Sequence, residues 1–274
     1  ADAKGEIIKN IEKKGTIILN RDDQFFTHLA NKAKMNNVKV ISFGMSKNAN
    51  VYPISITKQK KNKIIKVKLN NEIMSFEVKD INIYNFLSSL TILKELNLNI
   101  HKVKKYYKNY KLSEGRGRSY KIKRYKKNFN LIDESYNANP LSMKQSILNL
   151  SNIKDDSYKY VLLGDMLELG KESFRLHERL AIKLEANGID QVYTVGKSMA
   201  ALHQALPKHM RAKHAECPDV LIPAVREALQ AGDIVLIKGS QGSNTSSIAN
   251  ALIKNSLKNN KTLDLRNEEA GNAL

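Results

Sequence analysis

LIDESYNANPLSM, residues 131–143, reads as a buried strand that runs into a polar loop and then a helix. The same texture continues downstream. Tyr160 to Leu163 reads as a strand, and 172–186 as an amphipathic helix with Leu176, Leu180 and Leu184 in register. A strand over 191–195, a short helix over 197–206 and a helix over 218–230 follow, then a strand over 233–237 and a closing helix over 245–257. Short apolar runs bounded by turn residues suit strands buried on both faces. Strands alternating with helices imply a mostly parallel sheet covered by helices, so the expected fold class is α/β.

In such a sheet, ligands bind beyond the carboxyl ends of the strands. Three polar loops take that position: DESYNANP (133–140), GDMLELG (164–170) and KGSQG (238–242). One edge then gathers Asp133, Glu134, Ser135, Asn137, Asn139, Asp165, Glu168, Lys238 and Ser240. Carboxylates, amides and a lysine suit a substrate with both amine and carboxylate, or a nucleotide's ribose and phosphates. Each carboxylate alone serves as well for capping a helix; the expectation rests on convergence. Arg116 and Arg118, between Gly115 and Ser119, read either as a bidentate phosphate clamp or as a basic hairpin turn. His177, about two turns into the helix after Gly170, reads either as facing the site or, more commonly for a lone helical histidine, as a surface or capping residue. His203, His209 and His214 lack metal-ligand spacing, so no zinc site is expected. No GxxxxGK[ST], GxSxG or HExxH occurs, and no GxGxxG follows a strand.

The amino-terminal half has another pattern. GTIILN (15–20) and VKVISF (38–43) read as strands, with a helix through Phe25, Leu29 and Ala33 beginning at Asp22-Asp23. Period-two alternation over 51–56 and 64–78 predicts an antiparallel hairpin region. Residues 82–98 have the helical period, with Asn82 as cap. Glycine and charge interrupt the periodicity at Ser113-Glu114-Gly115, giving expected domains of 1–112 and 113–258 and a polar tail over 259–274.

The net charge of +19 is uneven: residues 1–132 hold 29 Lys and Arg against 10 Asp and Glu, whereas 133–274 hold 17 of each. The strip 101–127, with twelve Lys and Arg among five tyrosines, suits nucleic-acid binding. Lysine and asparagine drift in an AT-rich genome accounts for the same composition. No apolar run is long enough to cross a bilayer. The lone Cys217 fits a reducing, cytoplasmic compartment. The chain opens on Ala1-Asp2-Ala3 without a leader pattern and reads as a piece of something larger.

LIDESYNANPLSM, VLLGDMLELG (161–170), Leu176-His177 and IVLIKGS (234–240) together resemble the Mur ligases. Upstream, AKGEI (3–7), NRDD (20–23) and NIYN (82–85) resemble segments of the same family. The resemblance covers roughly 1–258 and implies the end of a central ATPase domain followed by a Rossmann-like carboxyl-terminal domain. Within the family it implies members that add D-alanyl-D-alanine to UDP-MurNAc-tripeptide, using ATP and Mg²⁺, as cytoplasmic monomers without membrane or nucleic-acid partners. Carried over residue by residue, Lys4 matches the lysine whose carbamate ligates Mg²⁺. Asn82 and Asn85 match positions near adenine. Arg118, or Arg116 in its place, matches an arginine reaching the ATP phosphates, and Asp133 and Glu134 match acids at the nucleotide edge. Ser135, Asn137, Asn139, Asp165, Lys238 and Ser240 match the dipeptide pocket. Ile81 stands where the family has His, and Gln241 where it has Arg. The family's phosphate loop is absent, so the chain is expected to be an inactive fragment or a degenerate copy. Folylpolyglutamate- or diaminopimelate-adding relatives are the alternative within the family, but DESYNAN differs from the DYAHTPD-like block of the latter.

Overall fold

The computed structural model describes residues 1–254 apart from 13, 60, 61, 80, 111, 125, 126, 154 and 155. The expected last turn of the closing helix and the 259–274 tail lie outside the described residues. The chain divides into two compact units, Ala1–Leu112 and Ser113–Leu274.

The first unit contains α1 (Asp2–Gly5), β1 (Thr16–Asn20), α2 (Phe26–Met35), β2 (Lys39–Phe43), β3 (Val51–Gln59), β4 (Asn62–Leu69), β5 (Glu72–Val78), α3 (Ile83–Glu95) and α4 (Ile100–Lys108). Its sheet runs β1-β2-β3-β4-β5. β1 and β2 are parallel, β2 meets β3 only at Phe43↔Val51, and β3, β4 and β5 are antiparallel. Alternation puts Ile65, Val67, Leu69, Phe76 and Val78 on one face, where Phe86, Leu87 and Leu90 of α3 cover them. Asn82 caps α3, its side-chain oxygen accepting from the Tyr84 and Asn85 amides. The expectation that Asp22-Asp23 start a helix is corrected. α2 begins at Phe26 without a side-chain cap, Asp23 accepts from Phe25 N, and Asp22 accepts from the Met45 and Ser46 amides.

The second unit contains β6 (Arg118–Arg124), β7 (Lys127–Glu134), α5 (Pro140–Ser151), β8 (Lys159–Gly164), α6 (Ser173–Glu178), α7 (Leu180–Ala186), β9 (Gln191–Val195), α8 (Met199–Ala205), β10 (Arg211–Ala215), α9 (Ile222–Ala228) and β11 (Ile234–Lys238). A further helix is described over 246–254. The sheet order is β10-β9-β8-β11-β7-β6, parallel except for the β6 edge. Successive β8 residues point to opposite faces. Val161 and Leu163 pack with Met143, Ile147, Leu184 and Leu202, whereas Leu162 packs with Leu221, Val225 and Ile248. A sheet covered on both faces needs the near-continuous apolar strands that the sequence shows.

Three expectations change. The 172–186 helix is a 3-10 turn followed by two helices that meet at Arg179. Asp133 and Glu134 belong to β7 and not to the loop after it. Strand β10 was missed because, at the sheet edge and half-exposed, RAKHA carries no apolar alternation.

Candidate functional site

β7, β11 and β8 are adjacent and parallel, with Ile237 in register with both Asp133 and Leu162. The loops after them therefore leave from one edge of the sheet, and they are bonded to one another. Ser240 N donates to the Asp165 carbonyl (3.1 Å), and the Ser240 hydroxyl donates to the Ala138 carbonyl while accepting from Leu167 N (3.0 Å). Lys238, 4 % exposed, donates to the Glu134 carboxylate and to the Asn137 carbonyl, each at 3.0 Å. Ser146 donates to the same Glu134 oxygen. An ammonium this deeply placed is tolerated only with its charge matched and its protons bonded.

Asp133 is equally engaged. One carboxylate oxygen accepts from Gly115 N (2.9 Å), the other from Ser135 N (3.1 Å) and the Ser135 hydroxyl (2.6 Å). Its carbonyl accepts from Gly117 N at 2.7 Å. Asp133 thus holds the turn that carries Arg116. Gly115 is needed there: its φ is +72°, and a Cβ would lie 3.0 Å from Tyr136. The Arg116 guanidinium stacks 4.0 Å above the Tyr136 ring. Arg118 is instead the first residue of β6, its guanidinium 5.0 Å from the Tyr120 ring. Burial pushes the Tyr120 phenol up. A cleft of roughly 140 Å³, lined in part by Glu114, Asp133, Tyr136, Gln241 and Asn250, opens beside this turn.

Other expected site residues hold structure. The Asp165 carboxylate accepts from Met199 N (2.8 Å) and Ser198 N (3.3 Å), capping the start of α8 and lying against Gly196. Asn139 is the N-cap of α5, in a reciprocal capping box with Ser142. The Asn137 side chain accepts from the next amide, Ala138 N. Lys238 and Ser240 are spent on loop-to-loop bonds. Each of these five therefore has at least one polar atom bonded within the fold.

In the first unit, Lys4 is exposed in α1, and Asn82 is occupied as the α3 cap, beside exposed Asn85. Tyr84 donates to Asp22 at 3.2 Å; burial, then the Asp22 charge, pushes its phenol up. The basic strip holds residues of both units; Lys111, Tyr125 and Lys126 lie outside the described residues, and Tyr107 packs edge-on against Phe76 and Phe86. The nucleic-acid reading is not supported.

Sequence reasoning undervalued His177. It is fully buried; its Nε2 accepts from Met166 N (2.9 Å), and its Nδ1 donates to the Ser173 carbonyl (2.7 Å). It thereby fixes the 164–170 loop against α6. Its adjacency to Leu176 on an apolar helix stripe was the available signal. Tyr136, inside the 133–140 loop, and Ser146, just past it, were also missed; the stacking of Arg116 on Tyr136 and the Ser146–Glu134 bond join residues far enough apart in sequence to leave no local pattern.

Residues 117–241 match the glutamate ligase domain of Mur ligases, and residues 1–93 match the Mur ligase middle domain. The chain belongs to the Mur ligase family. This Mur ligase chain is 29% identical over 246 residues to UDP-N-acetylmuramoyl-tripeptide–D-alanyl-D-alanine ligase of Rickettsia prowazekii, covering 88% of the chain and 54% of the relative. Its Bacillus subtilis counterpart is 34% identical over 131 residues, 47% of the chain and 29% of the relative. The chain spans about half the length of the curated relatives that it matches most extensively. A crystal structure of MurF ligase from Thermotoga maritima in complex with ADP superposes with a TM-score of 0.72 at 20% identity, over 94% of the chain and 57% of that structure. At that identity the likeness establishes the shared Mur ligase fold.

Proposed function

We propose that this Mur ligase chain carries part of an ATP-dependent ligase that adds D-alanyl-D-alanine to UDP-MurNAc-tripeptide in peptidoglycan precursor synthesis. The observation that carries the reading is the meeting of DESYNANP, GDMLELG and KGS on one sheet edge, cross-bonded through Ser240 and Lys238. Support also comes from the relatives, which bear that activity in their names. The reading places the protein in the cytoplasm as a monomer; among the described residues no helix is long and apolar enough to cross a membrane.

In the proposed reaction the acceptor carboxylate takes the γ-phosphoryl group of ATP, releasing ADP. The dipeptide amine then attacks the carbonyl carbon of the acyl phosphate. The C–N bond forms, the C–O bond breaks, and phosphate and the amine proton leave. Phosphorylation converts a poor leaving oxide into a good one, and cationic groups stabilise the charge that moves. Here Arg116 is the cation best prepared: its turn is clamped by Asp133 and its guanidinium is ordered on Tyr136. Lys238 and Glu134 set the shape of the edge by holding the 134–138 backbone to β11.

The residues present do not complete a Mg²⁺ site. Among the described residues no three His, Cys, Asp or Glu side chains converge, and Lys4 would ligate only as its carbamate. No step is derived through the metal. The cleft beside Tyr136 is small, about 140 Å³, and the sequence has no GxxxxGK[ST] phosphate loop.

The test is phosphate release from ATP by a chimera joining the amino-terminal half of the Rickettsia prowazekii relative to this chain. Release that requires both D-alanyl-D-alanine and UDP-MurNAc-tripeptide carries the reading. Release supported by glutamate or diaminopimelate in place of the dipeptide overturns it. So does a folded chimera that binds acceptor yet ignores the dipeptide. The chain alone is expected to release none.

A further inference from the structure

A cleft of about 510 Å³ in the first unit lies where its sheet opens. β2 and β3 share one register pair, Phe43↔Val51, and then part. The chain between them folds back so that Asn50 takes the place of a strand partner: its side-chain oxygen accepts from Ser42 N and the Ser42 hydroxyl, each at 2.8 Å. The Asn50 carbonyl accepts from Asn70 N (3.0 Å), which brings the β4–β5 turn alongside. Lys39 lines one wall, Lys47 comes from the fold-back, and Tyr52, Lys68 and Asn71 come from the other side. Among the described residues no carboxylate lines the cleft.

The three lysines start from fixed backbone. Lys39 and Lys68 are strand residues, and Lys68 is the register partner of Tyr52. Lys47 follows the turn that Asp22 clamps through Met45 N and Ser46 N. Lys39 is anchored from outside by Glu95 at 2.8 Å, which leaves its other N–H groups available. Among the described residues, neither Lys47 nor Lys68 forms an ion pair. Glu95 matches the charge of Lys39, whereas the Lys47 and Lys68 ammonium groups beside the same cleft have no such partner among the described residues and raise the local potential, which an anion relieves.

We propose that this cleft binds a small phosphorylated compound, its phosphoryl oxygens held by Lys39, Lys47 and Lys68. The chemistry favours phosphate over carboxylate. A phosphate ester carries about −1.5 to −2 charge and three acceptor oxygens that lysines meet as point charges from several directions, whereas a planar carboxylate is best matched by an arginine fork. Asn71 adds amide donors, and the half-buried Tyr52 ring gives the organic part an apolar wall. The volume falls within the range of about 300–1,000 Å³ usual for small-molecule sites.

Inorganic pyrophosphate is the probe, titrated into the whole chain at about 0.15 M salt, followed by calorimetry and by the amide resonances of Lys47 and Asn71. Saturable binding is expected, weakened about tenfold or more in a Lys47→Ala/Lys68→Ala variant. A Lys34→Ala/Lys66→Ala control, removing two exposed lysines of the same unit, should bind as the parent does. Lys47→Gln/Lys68→Gln serves if the alanine variant loses its fold. Non-saturating binding, equal weakening by the control, or equal affinity for citrate overturns the proposal.

Discussion

The Lys238 ammonium lies 3.0 Å from the Glu134 carboxylate, across 104 residues of sequence, with side-chain exposures of 5% and 21%. The pair joins the ends of β11 and β7 below the loops that form the candidate site. Because Lys238 is the deeper partner, stranding it should cost more than stranding Glu134. Glu134→Leu is expected to destabilise by about 3–5 kcal/mol and Lys238→Met by less, and the double variant should regain much of the loss. Chemical denaturation of the four proteins checks this; two single losses under about 1 kcal/mol would show the pair to be solvated.

Gly115 and Gly188 both have positive φ, at +72° and +60°, but only Gly115 has a neighbour where a Cβ would stand. Alanine at Gly188 should cost about 1 kcal/mol from backbone conformation alone. Alanine at Gly115 should cost more, and it should displace Tyr136 from Arg116. Equal melting temperatures for the two variants would contradict the packing argument.

His177→Ala removes the acceptor for Met166 N in a fully buried place. The expected loss is about 2–4 kcal/mol, from the cavity and the unpaired amide together. Hydrogen exchange gives the sharper readout: the Met166 amide should lose protection, while the amides of β8 keep theirs in the variant's folded state.

Burial first, then the neighbouring His214 and Arg211, holds His203 below its ordinary value of 6.5. Its Nδ1 is buried without a partner among the described residues. A depressed folded pKa means that the unfolded chain takes up the proton first. The contribution is therefore complete above pH 6.5 and is lost as pH falls toward the folded pKa. Stability measured from pH 7.5 downward should decline in that window, and less steeply in His203→Gln. Parallel curves would assign the decline to other groups.

Much of the fold was legible because burial leaves a periodic mark. The apolar runs at 160–163 and 234–237 are buried on both faces, and the alternation over 64–78 belongs to a sheet covered on one. β10 left no such mark, being a half-exposed edge. The gathering of three polar loops at one sheet edge was legible, but the bonds that their residues make within the fold were not. Asp165, Asn139, Lys238 and Ser240 do gather near the loops, yet their polar atoms bond to helix ends and neighbouring loops. Short polar residues at strand ends suit capping and binding equally well, so their chemistry alone could not separate the two.

The sequence by itself determined the two textures of the chain, the parallel sheet after residue 131 and the order of the Mur ligase blocks, since each depends on local periodicity or adjacent residues. Only the tertiary structure decided which polar atoms are already spent. A hydrogen bond such as Met166 N to His177, or an ion pair such as Lys238 with Glu134, depends on distances set by packing between segments far apart in the chain.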